Sequence, residues 1–574
     1  MHTNSIPVQT LSNRTALPGS RSWVPFSALF LICFLGNYCL SANFGLYDDD
    51  YYYTLPALHW HWHDFLKAFF SSAELAPDRP LGLALNHVVA YLSSRFDGLQ
   101  FGYLLGCLLL TFNSYLVFQV LKPLLSERAA FCGALFFLLT PADMGKQLLL
   151  HRVFVQGSIT CLLAGILLNR SNVIRLRVTS YLVAAGSLFI WEGPYLPFLA
   201  APFFWRERKI TRASALLHII IFFLILGLVS LFRAAQGDSR VQEIATDFPE
   251  SIIRIFQALW MGPAAALRAL ILRPWETLKY VEPFAALVGS IIGVIIWWML
   301  NRSGNQTATK FSAQLALGGL IAWIFPYVLM FRENYFPPNE TIGRLSSLHA
   351  PATFGFAVLG SVLFHTLACS RQFLRSVALL GALYFALLGA YSVQYQENEY
   401  VAAWEAQRAI WKGIYALTGD AGPGTPIVVD VDGLPQTQCF PAMWVTGVYR
   451  LFNVFTKVPS PWEKMPRITG YYKWCETAFE DGTLLMKTPP GQTKLWPVLK
   501  NGEFIFLRYQ DDHLTRVTAP TQLFGHFLSP KAPVPGISGW PLNRLGKQIL
   551  LPPSYERWKK LSREKAFPST ENWN

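Results

Sequence analysis

The chain has 574 residues and a formal net charge of +13, with 52% hydrophobic and only 14% charged residues. Because ordinary soluble domains carry about 25% charged residues, this composition excludes a purely soluble protein and predicts a polytopic membrane protein with some soluble mass. The positive charge does not indicate a nucleic-acid partner, since basic residues that hold loops in the cytoplasm explain it.

Eleven apolar segments predict a mainly α-helical transmembrane bundle. A bilayer crossing takes about 20 apolar residues, and the fifth and sixth segments are short enough that they could form one bent hairpin. The predicted spans are 23–45, 99–120, 129–144, 153–168, 179–191, 194–205, 213–233, 281–300, 311–330, 350–369 and 376–394.

The distribution of basic residues predicts the orientation. With the N-terminus in the cytoplasm, every inside loop is basic, as the positive-inside rule demands. Residues 1–22 then form a cytoplasmic segment, 23–394 a transmembrane domain and 395–574 an extracytoplasmic domain. The predicted outer loops are 45–98, 141–152, 234–280 and 331–349.

An acidic segment follows the first predicted span directly. It contains Asp48, Asp49 and Asp50, followed by three tyrosines. Three carboxylates at a membrane boundary are costly unless water, a cation or a substrate receives them. We interpret these aspartates as the catalytic residues.

A divalent cation is an open alternative in the same loop. Asp49 and Asp50 could bind Mg²⁺ or Mn²⁺, and His59 and His63, four residues apart, would share a helical face suited to a metal. The alternative for the histidines is an interfacial helix whose aromatic and polar side chains lie at headgroup depth.

Charged residues near the predicted outer ends of other spans could bind an anionic group. A cation at a dry site interacts far more strongly than one in water, and Arg suits bidentate phosphate binding. The alternatives are contact with lipid headgroups, snorkelling arginines and, for the glutamate, capping of a helix N-terminus. The candidates are Lys146, His151, Arg152, Glu192, Arg332, Arg344 and His349.

Two further segments have their own patterns. Residues 252–272 are amphipathic, which predicts a helix that lies in the interface or re-enters the membrane and could cover a lipid-linked substrate. Residues 395–574 predict a small α/β domain, with a surface helix at 397–418, strands at 427–431 and 503–509, and a basic tail. Cys439 and Cys475 lie in that domain, and whether they form a disulfide stays open.

The order of these features resembles the GT-C fold integral membrane glycosyltransferases that use polyprenyl-phosphate sugars, such as protein mannosyltransferases and aminoarabinose transferases. The resemblance covers about residues 20–395. It rests on the acidic segment, on Arg79-Pro80 before the second span, on Glu192 with Pro194 and Pro197, and on the outward C-terminal domain. The chain departs from the pattern at Trp191, where many relatives carry Lys.

The resemblance implies an inverting glycosyltransferase that acts on the extracytoplasmic side of its membrane. The long outer domain and the lack of an obvious retention signal favour a bacterial inner membrane, with a periplasmic site, over the endoplasmic reticulum. Its donor would be a polyprenyl-phosphate-linked sugar, its acceptor a glycan, lipid or protein of the cell envelope, and its surroundings membrane lipids. A first-loop Asp would act as the general base, and Arg79 would join the residues that bind the donor phosphate.

Two other classes of function compete with this one. A flippase or transporter of a lipid-linked substrate would place ionisable residues near the bilayer midplane and often contains inverted repeats, whereas here the acidic residues cluster at one boundary and no repeat is visible. A non-catalytic scaffold would leave the acidic segment unexplained.

Overall fold

The computed structural model is mainly helical and ends in a small region of strands. We describe only the parts of the chain that the structure places well enough. These are residues 23–47, 50–96, 98–143, 145–205, 210–236, 248–302, 312–330, 338, 343–370, 372–430, 456, 466–471, 477–480, 483–486, 498–510, 513–523 and 525–550.

The described residues contain seventeen α-helices. Turns of 3₁₀ or π geometry lie between several of them, notably Arg152–Gln156, Gly193–Phe204 and Gly343–His349. The helices are α1 Trp23–Asn37, α2 Asp50–Tyr53, α3 Trp62–Phe70, α4 Ser72–Leu75, α5 Pro80–Arg95, α6 Leu99–Leu121, α7 Glu127–Leu138, α8 Leu149–His151, α9 Gly157–Asn169, α10 Ile174–Gly186, α11 Arg212–Ala235, α12 Phe248–Thr277, α13 Pro283–Arg302, α14 Ser312–Ile324, α15 Ala350–Ala368, α16 Gln372–Leu417 and α17 Arg544–Leu550.

Seven helices among the described residues are long and apolar enough to cross a bilayer, and not the eleven that the sequence predicts. Six of them overlap predicted spans, and the seventh lies in α12, where the sequence predicts an interfacial helix. Helices α1 and α14 with its following turn are apolar but shorter. The long apolar helices are those of a polytopic membrane protein.

The remaining predicted spans are interrupted by local chemistry. Helix α7 starts at Ser126, whose hydroxyl caps the first turn, and ends at Leu138 rather than at 144. The segment predicted as 194–205 is a 3₁₀ helix that contains Pro194, Pro197 and Pro202. Proline has no N–H to donate and clashes with the preceding turn, so an α-helix cannot run through this segment.

Helix α12 packs along the bundle beside α15 and α16. Ala258 and Ala266 pack against Tyr327 and Leu348, near the start of α15. Further along, Ala269 and Leu270 pack beside Phe356 and Phe385, which lie deeper in α15 and α16. The predicted amphipathic helix therefore exists, and it is longer than 252–272.

Helix α16 continues without a break through residue 394, where the sequence predicts the end of the membrane domain. Its second half was predicted as a surface helix that packs on the next domain, and it does pack on the C-terminal strands, with Trp411 and Tyr415 buried. One face of this half contacts residues 44–51, and its end packs on the C-terminal strands.

The strands form three small sheets. The largest has the order β2-β1-β6-β7, with β1 parallel to β2 and β6, and β6 antiparallel to β7. Strand β1 is apolar and buried between two neighbours, as expected for a central parallel strand. The strands are β1 Pro426–Asp430, β2 Arg467–Tyr471, β3 Thr477–Glu480, β4 Thr483–Met486, β5 Val498–Lys500, β6 Ile505–Gln510, β7 His513–Val517, β8 Thr521–Leu523 and β9 His526–Leu528.

A buried ion pair joins the turn that follows α16 to this sheet. Arg516 on β7 donates to both carboxylate oxygens of Asp420, at 2.5 and 3.0 Å, and Lys531 lies 3.7 Å from the same carboxylate. Burial alone would raise the pKa of Asp420, but the hydrogen bonds and charge of Arg516 outweigh it, so the pKa is lowered. The predicted disulfide residues Cys439 and Cys475 lie outside the described residues.

Candidate functional site

The acidic segment lies where two loops meet at one end of the bundle, which we call the acidic end. Asp50 starts α2 and is buried. Its Oδ2 accepts hydrogen bonds from the backbone N–H of Tyr47, at 3.2 Å, and of Leu149, at 3.4 Å. Asp50 therefore fixes the first loop against α8. Asp48 and Asp49 lie outside the described residues.

Tyrosines on either side of the aspartates hold this segment on α16. The hydroxyl of Tyr47 donates to the carbonyl of Tyr400 at 2.8 Å, and that of Tyr51 donates to Gln407. The indole N–H of Trp411 donates to the Tyr51 hydroxyl at 3.3 Å. Buried polar tips with partners of this kind fix an orientation, so Tyr47 and Tyr51 hold the backbone next to Asp50 against α16.

Lys146 explains why α7 ends before the acidic end. Its buried ammonium donates to the carbonyl of Leu138, the last residue of α7, at 3.0 Å, and to the carbonyl of Thr140, two residues later, at 2.9 Å. Cations are favourable at helix C-termini, where carbonyls lack intrahelical partners. Lys146 was predicted to bind an anion, and here it caps a helix.

Asp143 lies in the same loop as Lys146. Burial raises its pKa to about 6, although the Lys146 charge and the Gly145 N–H, 2.9 Å away, act in the opposite direction. Burial likewise lowers the pKa of Lys146 to about 8, opposed by Asp143. A carboxyl and an amine that both titrate nearer to neutrality are typical of functional sites.

Arg152 occupies the centre of the acidic end. Its guanidinium carbon lies 4.5 Å from the ring centre of Tyr38 and 4.2 Å from that of Tyr103, and its Nε donates to the carbonyl of Lys146 at 3.0 Å. Gly106 makes room for it, because a Cβ there would be 2.0 Å from Arg152 Cδ. The residue stands at the start of the π-helical turn Arg152–Gln156, and such turns frequently mark functional sites.

Glu397 is a buried carboxylate that the sequence reading missed. The thiol of Cys39 donates to its Oε2 at 3.1 Å, and the charge of Arg152 acts on it. The sequence places residues beyond 394 in a soluble domain and therefore predicts that Glu397 lies on a surface helix. The available signal was the absence of any helix breaker between the last span and this residue.

Five ionisable residues thus share the acidic end, and we call them the buried charge cluster. Their exposed fractions are 1% for Asp50, 2% for Asp143, 4% for Lys146, 2% for Arg152 and 0% for Glu397. Buried charges interact through a low effective dielectric and are seldom kept without a function in apolar surroundings. The carboxylates suit proton transfer, and the cations suit stabilisation of an anion.

A second cluster surrounds Glu192, and we call it the arginine–glutamate clamp. Arg79 Nη2 lies 3.1 Å from Glu192 Oε1, and Arg233 Nη1 lies 3.7 Å from Oε2. Arg233 also donates to the carbonyls of Asp78, at 2.8 Å, and Leu188. Arg79 and Glu192, which the sequence suggests separately as donor-binding residues, thus lie together, and Arg233, the last residue of a predicted apolar span, joins them.

Helix α5 connects the clamp to the buried charge cluster. Gly82, one turn after Arg79, packs so closely that a Cβ there would be 2.6 Å from the ring of Phe154 and 2.9 Å from the carbonyl of Ile190. Phe154 belongs to the π-helical turn that begins at Arg152. The two clusters therefore lie on a continuous set of packed elements.

The other predicted site residues are placed as follows. His151 is half-buried beside Gly145, and His349 is buried with its Nδ1 2.7 Å from the Tyr327 hydroxyl. His63 is exposed. Arg332 lies outside the described residues, as do the side chains of His59 and Arg344. Within the described parts of the chain, no group of three or more His, Cys, Asp or Glu side chains is arranged to hold a metal ion.

Comparison with known proteins identifies no relative. No protein-family model matches the chain, and no curated protein matches it. The class that the fold defines is thus a polytopic helical membrane protein with a small strand region, and the argument for function rests on the site.

Proposed function

We propose that the protein is an inverting membrane glycosyltransferase that moves a sugar from a polyprenyl-phosphate-linked donor to an acceptor hydroxyl. One observation carries the proposal. Carboxylates and cations are buried together at a single end of an apolar bundle, where Asp50 accepts hydrogen bonds from backbone donors of two loops. A lipid-linked donor would reach such a site from the membrane itself.

In the proposed reaction, an aspartate of the segment 48–50 takes the proton of the acceptor hydroxyl. The acceptor oxygen bonds to the anomeric carbon as the bond from that carbon to the phosphate oxygen breaks, with inversion. The polyprenyl phosphate leaves with the electron pair. Asp50, with its Oδ2 occupied by two N–H donors, orients the segment, and this favours Asp48 or Asp49 as the base.

The leaving phosphate requires preorganised positive charge. Arg79 and Arg233 bring two guanidinium groups to one carboxylate at the arginine–glutamate clamp, and Lys146 and Arg152 add two buried cations at the acidic end. We propose that the donor phosphate binds between these groups, and that Arg332, Arg344, His151 and His349 support it.

The proposal includes a location and partners. The N-terminus is cytoplasmic and the acidic end and the C-terminal strands are periplasmic, an orientation that the basic inside loops support, and the membrane is a bacterial inner membrane. The acceptor is a glycan, lipid or protein of the envelope. A divalent cation at the acidic segment would help to orient the acceptor.

The test is a transfer assay with purified protein in detergent. We expect release of polyprenyl phosphate and labelling of the acceptor fraction when a polyprenyl-phosphate-linked labelled sugar is supplied with an envelope extract. A protein that binds this lipid yet releases neither product under any acceptor would contradict the proposal.

A flippase is the second candidate, and one observation favours it. Helix α10 ends at Gly186 and is followed by 3₁₀ segments on both sides of Glu192, and broken helices around an ionisable residue are typical of transporters. Movement of a fluorescent polyprenyl-phosphate sugar between leaflets of vesicles, without release of its sugar, would establish this function in place of transfer.

A further inference from the structure

Gln396 is a buried amide without a hydrogen-bond partner among the described residues. Its exposed fraction is 1%, and both its Nε2 and its Oε1 lack a partner there. Most buried polar side chains have at least one partner, and one that has none destabilises the folded protein. The presence of such a destabilising amide at position 396 requires a physical explanation.

The position of Gln396 on α16 aims it at the acidic end. Gly389, two turns earlier on the same face, lies so close to the end of α7 that a Cβ there would be 2.6 Å from the Leu139 carbonyl. Gln396 therefore lies two turns beyond this contact with α7, on the same face of α16. Three turns further along the same face, Gln407 accepts the hydrogen bond of Tyr51, next to Asp50.

The adjacent carboxylate has a related feature. Oε2 of Glu397 accepts the Cys39 thiol, whereas its Oε1 has no hydrogen-bond partner in the described part of the chain. Successive positions of α16 thus carry a buried amide that can donate and accept and a buried carboxylate oxygen that can accept. A charged phosphate would be repelled by the carboxylate, while a hydroxyl can donate to either acceptor and accept from the amide.

We propose that Gln396 binds the hydroxyl groups of the sugar, so that the acidic end recognises the sugar through α16 and the phosphate through its cations. This inference rests on the proposed function. Gln396 is a sugar-binding residue in it, and Glu397 adds a second acceptor for the same ligand. The ligand class is a neutral polyol unit carried on a lipid phosphate.

The test compares two lipids on two variants. The probes are farnesyl phosphate and the same lipid with a hexose on its phosphate, and the readout is the dissociation constant in detergent. The variants are Gln396→Met, which keeps the size and removes the hydrogen bonds, and Gln314→Met as the control. Gln314 is a membrane-helix glutamine remote from the site whose Nε2 donates to the Phe203 carbonyl at 2.8 Å.

We expect wild type and Gln314→Met to bind the hexose lipid at least about tenfold more tightly than bare farnesyl phosphate, which corresponds to one lost hydrogen bond of about 1.4 kcal/mol. Gln396→Met should bind both lipids equally. It should also melt at a higher temperature than wild type without ligand, because an unpaired buried amide has been removed.

Three results would count against the inference, and they differ from one another. A Gln396→Met variant that keeps the tenfold preference overturns sugar binding by Gln396 while transfer stands. A variant that melts lower and weakens both lipids alike shows a structural amide. Wild-type protein that neither prefers the hexose lipid nor transfers its sugar overturns the proposed function and this inference together.

Discussion

Arg152 shows how a single residue combines packing and charge at the acidic end. Its guanidinium group lies between two tyrosine rings and against a backbone carbonyl, in a space that exists because position 106 is glycine. Cation–π contacts gain strength when they are desolvated. The sequence identified Arg152 as a candidate, but the two rings come from helices far apart in the chain, and no local pattern reports that pairing.

The glycine gives the first prediction. Gly106→Ala should lower the melting temperature and displace the guanidinium, because its Cβ would lie 2.0 Å from Arg152 Cδ and overpacking of this kind costs about 1–3 kcal/mol. The measurement is thermal unfolding in detergent beside Gly227→Ala, a helical position with nothing within 4 Å of an added Cβ.

Gly227→Ala should be neutral or slightly stabilising, since alanine is the better helix former. Equal melting temperatures for the two variants would show that Arg152 does not require the space at position 106.

At the scale of elements, sequence reasoning succeeded where the signal was local. Strands β1 and β6 fall where β-branched apolar runs predict them, at 426–430 and 505–510. It failed at the end of helix α7. That helix stops at Leu138, ahead of Pro141, which has no N–H to donate to the preceding turn, and Lys146, eight residues later, bonds the Leu138 carbonyl. A hydropathy window reports neither effect.

The ion pair that joins α16 to β7 gives a prediction about pH. The pKa of Asp420 is lower in the folded protein than in the unfolded chain, so its stabilisation is present above its unfolded pKa of about 3.9 and is lost as the pH falls through the folded value. Asp420→Asn should weaken this region by about 1–3 kcal/mol at pH 7, because Arg516 and Lys531 lose the negative charge between them while Arg516 keeps its hydrogen bonds to the Leu417 and Lys531 carbonyls.

Hydrogen exchange of the β6–β7 peptides measures this effect. The difference between wild type and Asp420→Asn should be full at pH 7 and should shrink below about pH 4. Glu405→Gln, an exposed charge on the same helix, is the control and should change little. A difference that stays constant through acid pH would contradict a role for the Asp420 charge.

At the scale of the whole molecule, composition was sufficient to predict a helical membrane protein, and the long apolar helices bear this out. The number of crossings was not predictable, since prolines and caps divide apolar runs that look continuous in sequence. The site residues were likewise predictable only where the signal is local. Asp50, Lys146 and Arg152 were predicted because they are charges beside apolar runs, whereas Glu397 and Gln396 depend on the continuation of α16.

The proposed orientation can be tested by labelling. In a background without native cysteines, Gln236→Cys should react with a membrane-impermeant maleimide in intact cells whose outer membrane is permeable, because it follows α11 on the proposed periplasmic side. Val173→Cys, an exposed position before α10, should react only after the inner membrane is opened, because its loop is basic. The reverse pattern would contradict the orientation.

The central claim is that the acidic segment supplies the base for sugar transfer. The most direct measurement is turnover of a polyprenyl-phosphate-linked sugar by Asp48→Asn, Asp49→Asn and Asp50→Asn, each with its melting temperature. Asp64→Asn, an exposed aspartate of the same loop, is the matched control. We expect Asp48→Asn or Asp49→Asn to lose about 10²-fold or more in turnover with an unchanged melting temperature.

Asp50→Asn should lose turnover and also melt lower, because its carboxylate joins two loops through backbone donors. Asp64→Asn should keep its turnover. If all three segment variants transfer sugar as fast as Asp64→Asn does, the acidic segment is not the catalytic centre and the account is wrong.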